Sequence, residues 1–129
     1  MMDFSGGKML IRDLKEGRRF AAKDGTDICE LLHPDREEGI SMGYSLAHAI
    51  LGLGEASAPH RLKSSSEVYF ILEGRGIMHI GGESADVEPG KAVFIPPGSI
   101  QHIENVGVGP LIFLCLVSPP WREEEDEAA

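Results

Sequence analysis

The way glycine and proline punctuate this chain constrains its fold more than any other feature. Sixteen glycines and eight prolines fall among 129 residues. They cut the sequence into apolar runs of strand length. Both residues weaken or end a helix interior, and no helical periodicity persists beyond about two turns. The segment "LIRDLKEGRRF" can hold one short helical turn before Gly17 ends it. The remaining runs predict strands: "RRFAA", "DICELLH", "YSLAHAIL", "EVYFIL", "GIMHI", "KAVFIPP", "IQHIEN" and "PLIFLCLV". Their connectors carry matching turn chemistry. Asp24-Gly25 in "KDGT" has the pattern of a hairpin turn, and Pro89-Gly90 in "EPGK" that of a type II turn. Short, evenly spaced strands imply an all-β chain, closed as a barrel or sandwich of antiparallel strands.

Composition narrows the function classes. The length suits one domain, and 42% hydrophobic residues are enough for a packed core. The formal net charge is −9, of which the terminal "REEEDEAA", with one Arg and five acids, supplies −4. An acidic body repels phosphate backbones, so nucleic acid is not an expected partner. No apolar run approaches the roughly 20 residues of a membrane helix, and no membrane is expected. The start, "MMDFSGGKML", lacks a basic segment followed by an apolar one, which makes a cytoplasmic protein the expectation. Residues 1–121 read as the single domain and 122–129 as a solvated, disordered acidic tail. Cys29 and Cys115 both sit in apolar runs and read as buried, reduced thiols.

Strand alternation assigns faces. In "YSLAHAIL", Tyr44, Leu46, His48 and Ile50 share one face, and Ser45, Ala47, Ala49 and Leu51 the other. In "EVYFIL", Glu67, Tyr69 and Ile71 lie together. In "SIQHIEN", Gln101, Ile103 and Asn105 lie together, with His102 and Glu104 opposite.

Two segments then stand in a recognisable frame. The first holds Gly54, His60, Leu62, Glu67 and Gly74; the second holds Gly90, Pro96, Gly98, Gln101 and Asn105. This pattern, over 54–74 and 90–105, resembles the paired motifs of the cupin superfamily. The resemblance implies a double-stranded β-helix, or jelly-roll, barrel with little helix. It also implies a divalent metal held by three His and one Glu. Carried over position by position, those ligands are His60, Leu62, Glu67 and Gln101. Leu62 cannot ligate, and the amide of Gln101 is a poorer donor than an imidazole.

His48 can replace the missing ligand if its face turns inward. The expected metal set is then His48, His60, Glu67 and Gln101, an N2O2 site suited to Zn, Fe, Ni or Mn. The barrel mouth, lined by Tyr44, Leu62 and Tyr69, is expected to take a small molecule. A homodimer is expected from the resemblance. Three functions follow: a metal-dependent isomerase or dioxygenase of a small oxygenated substrate; a non-catalytic module binding a sugar or small acid; and a structural cupin whose metal site has decayed. Of the other histidines, His79 is expected to face solvent, His102 to point away from Gln101, and His33 to end a strand.

Overall fold

The computed structural model describes residues 7, 9–37 and 40–129. Eleven strands are found among them: β1 (Arg19–Ala21), β2 (Asp27–Leu32), β3 (Ser45–Leu51), β4 (His60–Leu62), β5 (Ser66–Glu73), β6 (Gly76–Ile80), β7 (Glu83–Val87), β8 (Ala92–Ile95), β9 (Gln101–Asn105), β10 (Leu111–Ser118) and β11 (Asp126–Ala128). They form two antiparallel sheets with strand orders β1-β2-β3-β10-β5-β8 and β11-β4-β9-β6-β7. This is the jelly-roll barrel the motifs imply. The short helical turn appears as a 3-10 turn at Leu14–Glu16, where the Asp13 side chain accepts from the Lys15 amide and Gly17 ends the turn. Among the described residues no helix is long and apolar enough to cross a membrane.

Apolar side chains from both sheets meet between them. Leu51, Ile71, Ile95, Leu111 and Phe113 come from the six-stranded sheet, and Met78, Val87 and Ile103 from the five-stranded one. This core fills one end of the barrel and leaves the other for a cavity. Two glycines of the motifs have steric roles. Gly74 turns at φ +90°, and a Cβ there would strike the Pro110 carbonyl. Gly90 takes the positive φ (+93°) that the third position of the type II turn requires. The buried Asn105 closes the second motif. Its Nδ2 faces the carbonyls of Leu51, Gly52 and Gly109 at 3.1, 2.9 and 2.9 Å, while its Oδ1 accepts from the Gly107 amide at 3.0 Å.

The acidic terminus departs from the sequence expectation. Residues 126–128 form β11 on the free edge of β4, pairing Asp126 with Leu62 and Ala128 with His60. Backbone bonds extend the ladder, Lys63 N to Glu125 O at 2.9 Å and Ala129 N to Pro59 O at 3.1 Å. Two causes override the charge run. The edge strand offers unpaired backbone groups, and nearby cations offset the acids: Glu127 lies 3.5 Å from Arg61 and 3.9 Å from Lys63. His33 also anchors this segment, its Nε2–H donating to the Trp121 carbonyl at 2.6 Å while Nδ1 accepts from the Asp35 amide at 3.0 Å.

Candidate functional site

The cavity at the open end has a volume of about 200 Å³. The six-stranded sheet contributes Ser45 and Ala47 from β3, Glu67 and Tyr69 from β5, and Cys115 and Val117 from β10; β4 contributes His60 and Leu62. The Lys23–Thr26 turn and the terminal segment complete the wall with Asp24, Trp121, Glu123 and Asp126.

A buried polar relay forms one side. The Tyr69 hydroxyl donates to Gln101 Oε1 at 3.0 Å, and Gln101 Nε2 donates to Glu67 Oε1 at 3.0 Å. All three residues are buried, Gln101 to 1% exposure. Burial pushes the Glu67 carboxyl up to about 7, against the lowering effects of the Gln101 bond and the nearby His60. A carboxyl taken out of water disfavours its charged form. The same burial, with Glu67 adding repulsion, drives the Tyr69 hydroxyl well above its ordinary value. The Cys115 thiol is also pushed well up by burial, so it is no nucleophile at neutral pH.

His60 stands on the opposite sheet, with β4 pairing β9 at His60 and Gln101. Its Nδ1 lies 3.1 Å from the Ala58 carbonyl and 3.7 Å from Asp24 Oδ2. Both neighbours are acceptors, so Nδ1 carries a proton, and of the two neutral tautomers they select the one with its lone pair on Nε2. Trp121 Nε1 donates to Asp126 Oδ2 at 3.1 Å, while Asp126 Oδ1 is buried without a hydrogen-bond partner.

The structure brings together His60, Glu67 and Gln101, with Tyr69 and Leu62 beside them. It does not bring in His48. Because Ser45 and Ala47 line the cavity and Ala49 and Leu51 enter the core, the alternation sends Leu46, His48 and Ile50 to the outer face. There His48 pairs across strands with Cys29 and Leu114. Burial and the charge of Arg19 lower its pKa, and its Nδ1 has no partner. Tyr44 is 42% exposed and does not line the cavity. Small residues flank His48 because Ala47 borders the cavity and Ala49 the core, not because an imidazole needs room inside.

The residues present do not fit the interior metal that the resemblance implies. Leu62 occupies one ligand position and His48 lies on the other side of the sheet. Both functional atoms of the Gln101 amide are engaged, by Tyr69 and by Glu67. Among the described residues, the group of His, Cys, Asp and Glu side chains close enough to share an ion is His79, His102 and Glu104, on the outer face of the five-stranded sheet.

Sequence reasoning missed Asp24 and Asp126. Asp24 carried only a turn signal, though a turn between β1 and β2 lies at the barrel mouth. Asp126 was hidden within a run of acids.

Comparison with known proteins agrees with this architecture. A family model described as the cupin domain matches residues 47–117. An uncharacterized protein of Methanocaldococcus jannaschii is 38% identical over 120 residues, covering 93% of this chain and 94% of its own length. Among solved structures, a predicted oxalate decarboxylase of Thermotoga maritima superposes with a TM-score of 0.73 at 24% identity, covering 86% of this chain and 99% of that one. A variant of Streptomyces Pac13 with uridine superposes with a TM-score of 0.74 at 15% identity, covering 95% and 92%; Pac13 is described as a nucleoside dehydratase. The paired motifs, the jelly-roll barrel and the family model converge, and the chain belongs to the cupin family.

Proposed function

We propose that this cupin binds a small, uncharged or cationic, hydroxyl-bearing molecule in its barrel and moves protons on it with His60 and Glu67, without an interior metal. The observation that carries this reading is that one cavity is lined by both the buried Glu67 carboxyl and the His60 imidazole, the first raised by burial and the second tied through Nδ1 to Ala58 and Asp24. Burial raises the Glu67 carboxyl towards neutral pH, the direction that suits a side chain to acid–base catalysis. The reaction class this supports is elimination of water or isomerisation by proton transfer. In an elimination, His60 Nε2 takes a proton from carbon while Glu67 gives its own to the departing hydroxyl. The C–H and C–O bonds break, a C=C bond forms, and water leaves. Solvent exchange returns the proton from His60 to Glu67. The relay from Tyr69 through Gln101 holds one Glu67 oxygen in place. Dioxygenation would need a redox metal, and the donors at this site do not suit one.

Charge supports the ligand class. Five carboxyl groups, those of Asp24, Glu30, Glu67, Glu123 and Asp126, line the cavity. Its lysine, Lys23, is turned to the carbonyls of Glu123 and Asp126 at 3.2 and 3.3 Å. Such a wall disfavours oxalate and other small anions, although the Thermotoga maritima relative that is 31% identical over 64 residues is an oxalate-binding protein. The Pac13 structure with uridine is consistent with a neutral ligand in a barrel of this shape. The test is a thermal-shift panel of uridine, neutral sugars and oxalate, since a ligand that binds the folded state raises its melting temperature. Hits are then assayed for product with wild type, His60→Gln and Glu67→Gln. Shifts with neutral compounds, and turnover lost in both variants, are expected. A shift with oxalate alone would contradict the proposal, and binding without turnover would leave a non-catalytic module.

We also propose that the protein is a homodimer joined through the outer face of the six-stranded sheet. Leu46, Ile50, Val68, Leu114 and Leu116 crowd that face, with Phe70, Leu72 and Phe94 exposed at 38%, 42% and 62%. A contiguous apolar patch of this kind marks an interaction surface.

A further inference from the structure

We propose that the outer face of the five-stranded sheet carries a transition-metal site formed by His79, His102 and Glu104. The three residues come together through strand register. His79 on β6 lies directly opposite His102 on β9, and Glu104 lies two residues further along β9, opposite Ile77. The imidazole rings stack with centroids 4.2 Å apart and planes 5° from parallel. His79 Nε2 lies 3.2 Å from Glu104 Oε2. One donor atom from each residue lies within 4.8 Å of the other two. All three are half-buried, so the donors are partly open to solvent, and a turn of the stacked rings aims both lone pairs at one ion.

The donor set defines the ion class. Two imidazole nitrogens and one carboxylate oxygen suit Zn²⁺, Ni²⁺ or Cu²⁺, and are poor for Mg²⁺ and Ca²⁺, which prefer all-oxygen shells. Three protein ligands leave coordination positions for water or a partner's side chain.

Ser84 on β7 supplies the support such a site needs. It pairs with His79 in register, and its Oγ lies 2.8 Å from His79 Nδ1. Without metal, Nε2–H donates to Glu104 and the Ser84 hydroxyl donates to Nδ1. With metal on Nε2, the proton sits on Nδ1 and donates to Ser84 Oγ, because a hydroxyl serves either role. The ring thus exchanges tautomer without losing its partner, and the hydrogen bond behind the ligand raises its basicity. Ser84 is a positioning residue, not a ligand.

The test is isothermal titration of the full chain with ZnCl2, and separately with MgCl2. One Zn²⁺ per chain is expected, with no response to Mg²⁺. His79→Ala, His102→Ala and Glu104→Gln should each weaken Zn²⁺ binding by about tenfold or more, and Ser84→Ala by about tenfold. His60→Gln and Glu67→Gln, which alter only the barrel interior, should leave it unchanged. Circular dichroism melts confirm that each variant is folded; Glu104→Gln preserves shape and tests the donor in a variant least able to unfold the sheet. Absence of Zn²⁺ binding to wild type would overturn the proposal. So would binding that survives the His79 and His102 changes, or that depends on His60.

Discussion

Glu67→Gln isolates the central feature of the barrel interior. The folded protein holds the Glu67 carboxyl at about 7, raised from an ordinary 4.5, chiefly by burial. Between those pH values the folded state therefore binds more protons than the unfolded state. By linkage, stability falls as pH rises across this window. The contribution is fully present below pH 4.5 and is lost as pH passes through 7. At about 1.4 kcal/mol per pH unit of displacement, the loss is about 3 kcal/mol. Glutamine keeps the shape and an oxygen to accept from Gln101 Nε2, but does not titrate. Urea denaturation of wild type and Glu67→Gln, from pH 4 to 9, measures the difference directly. The stability of wild type relative to the variant should fall by about 3 kcal/mol from pH 4.5 to 8. A constant offset across that range would refute the argument, because it would mean that Glu67 titrates alike in the folded and unfolded chains.

Other changes test the rest of the structure. Asn105→Ala removes an amide that faces three carbonyls and accepts from Gly107; urea melts should show a loss of about 3 kcal/mol, and a loss below about 1 kcal/mol would deny the residue its role. Deleting residues 122–129 frees the edge of β4, so the Lys63 amide, now bonded to the Glu125 carbonyl at 2.9 Å, should lose its hydrogen-exchange protection; unchanged protection would show that β11 does not form. Phe70→Asp combined with Phe94→Asp places two charges on the apolar sheet face. Light scattering should report a dimer for wild type and a monomer for the double variant; a monomeric wild type would remove the proposed interface.

The barrel was legible because its signals are local. Turn glycines, strand alternation and the spacing of the two motifs are properties of short segments, and eight of the strands could be read from them. The three missed strands lack such signals. β7 is polar and exposed over most of its length, β4 has only three residues, and β11 lies in a run of acids that forms a strand only because β4 presents an edge. His60, Glu67 and Gln101 occupy motif positions and meet as their register requires. His48 was misplaced because alternation shows which residues share a face, not which face points inward. That choice depends on Ala47 and Ala49, small enough to pass for the outer side of a strand, facing the cavity and the core. The outer cluster escaped notice because its members sit on neighbouring strands and meet only in the paired sheet.

The proposed proton transfer through Glu67, in a barrel interior that holds no metal, has a direct spectroscopic consequence. Carbon-13 NMR titration of the Glu67 side-chain carboxyl, with and without excess Zn²⁺, tests it most directly. A midpoint at about 7 that Zn²⁺ leaves in place is expected. A midpoint near the ordinary 4.5, or one that Zn²⁺ drives down by binding the carboxylate, would contradict it.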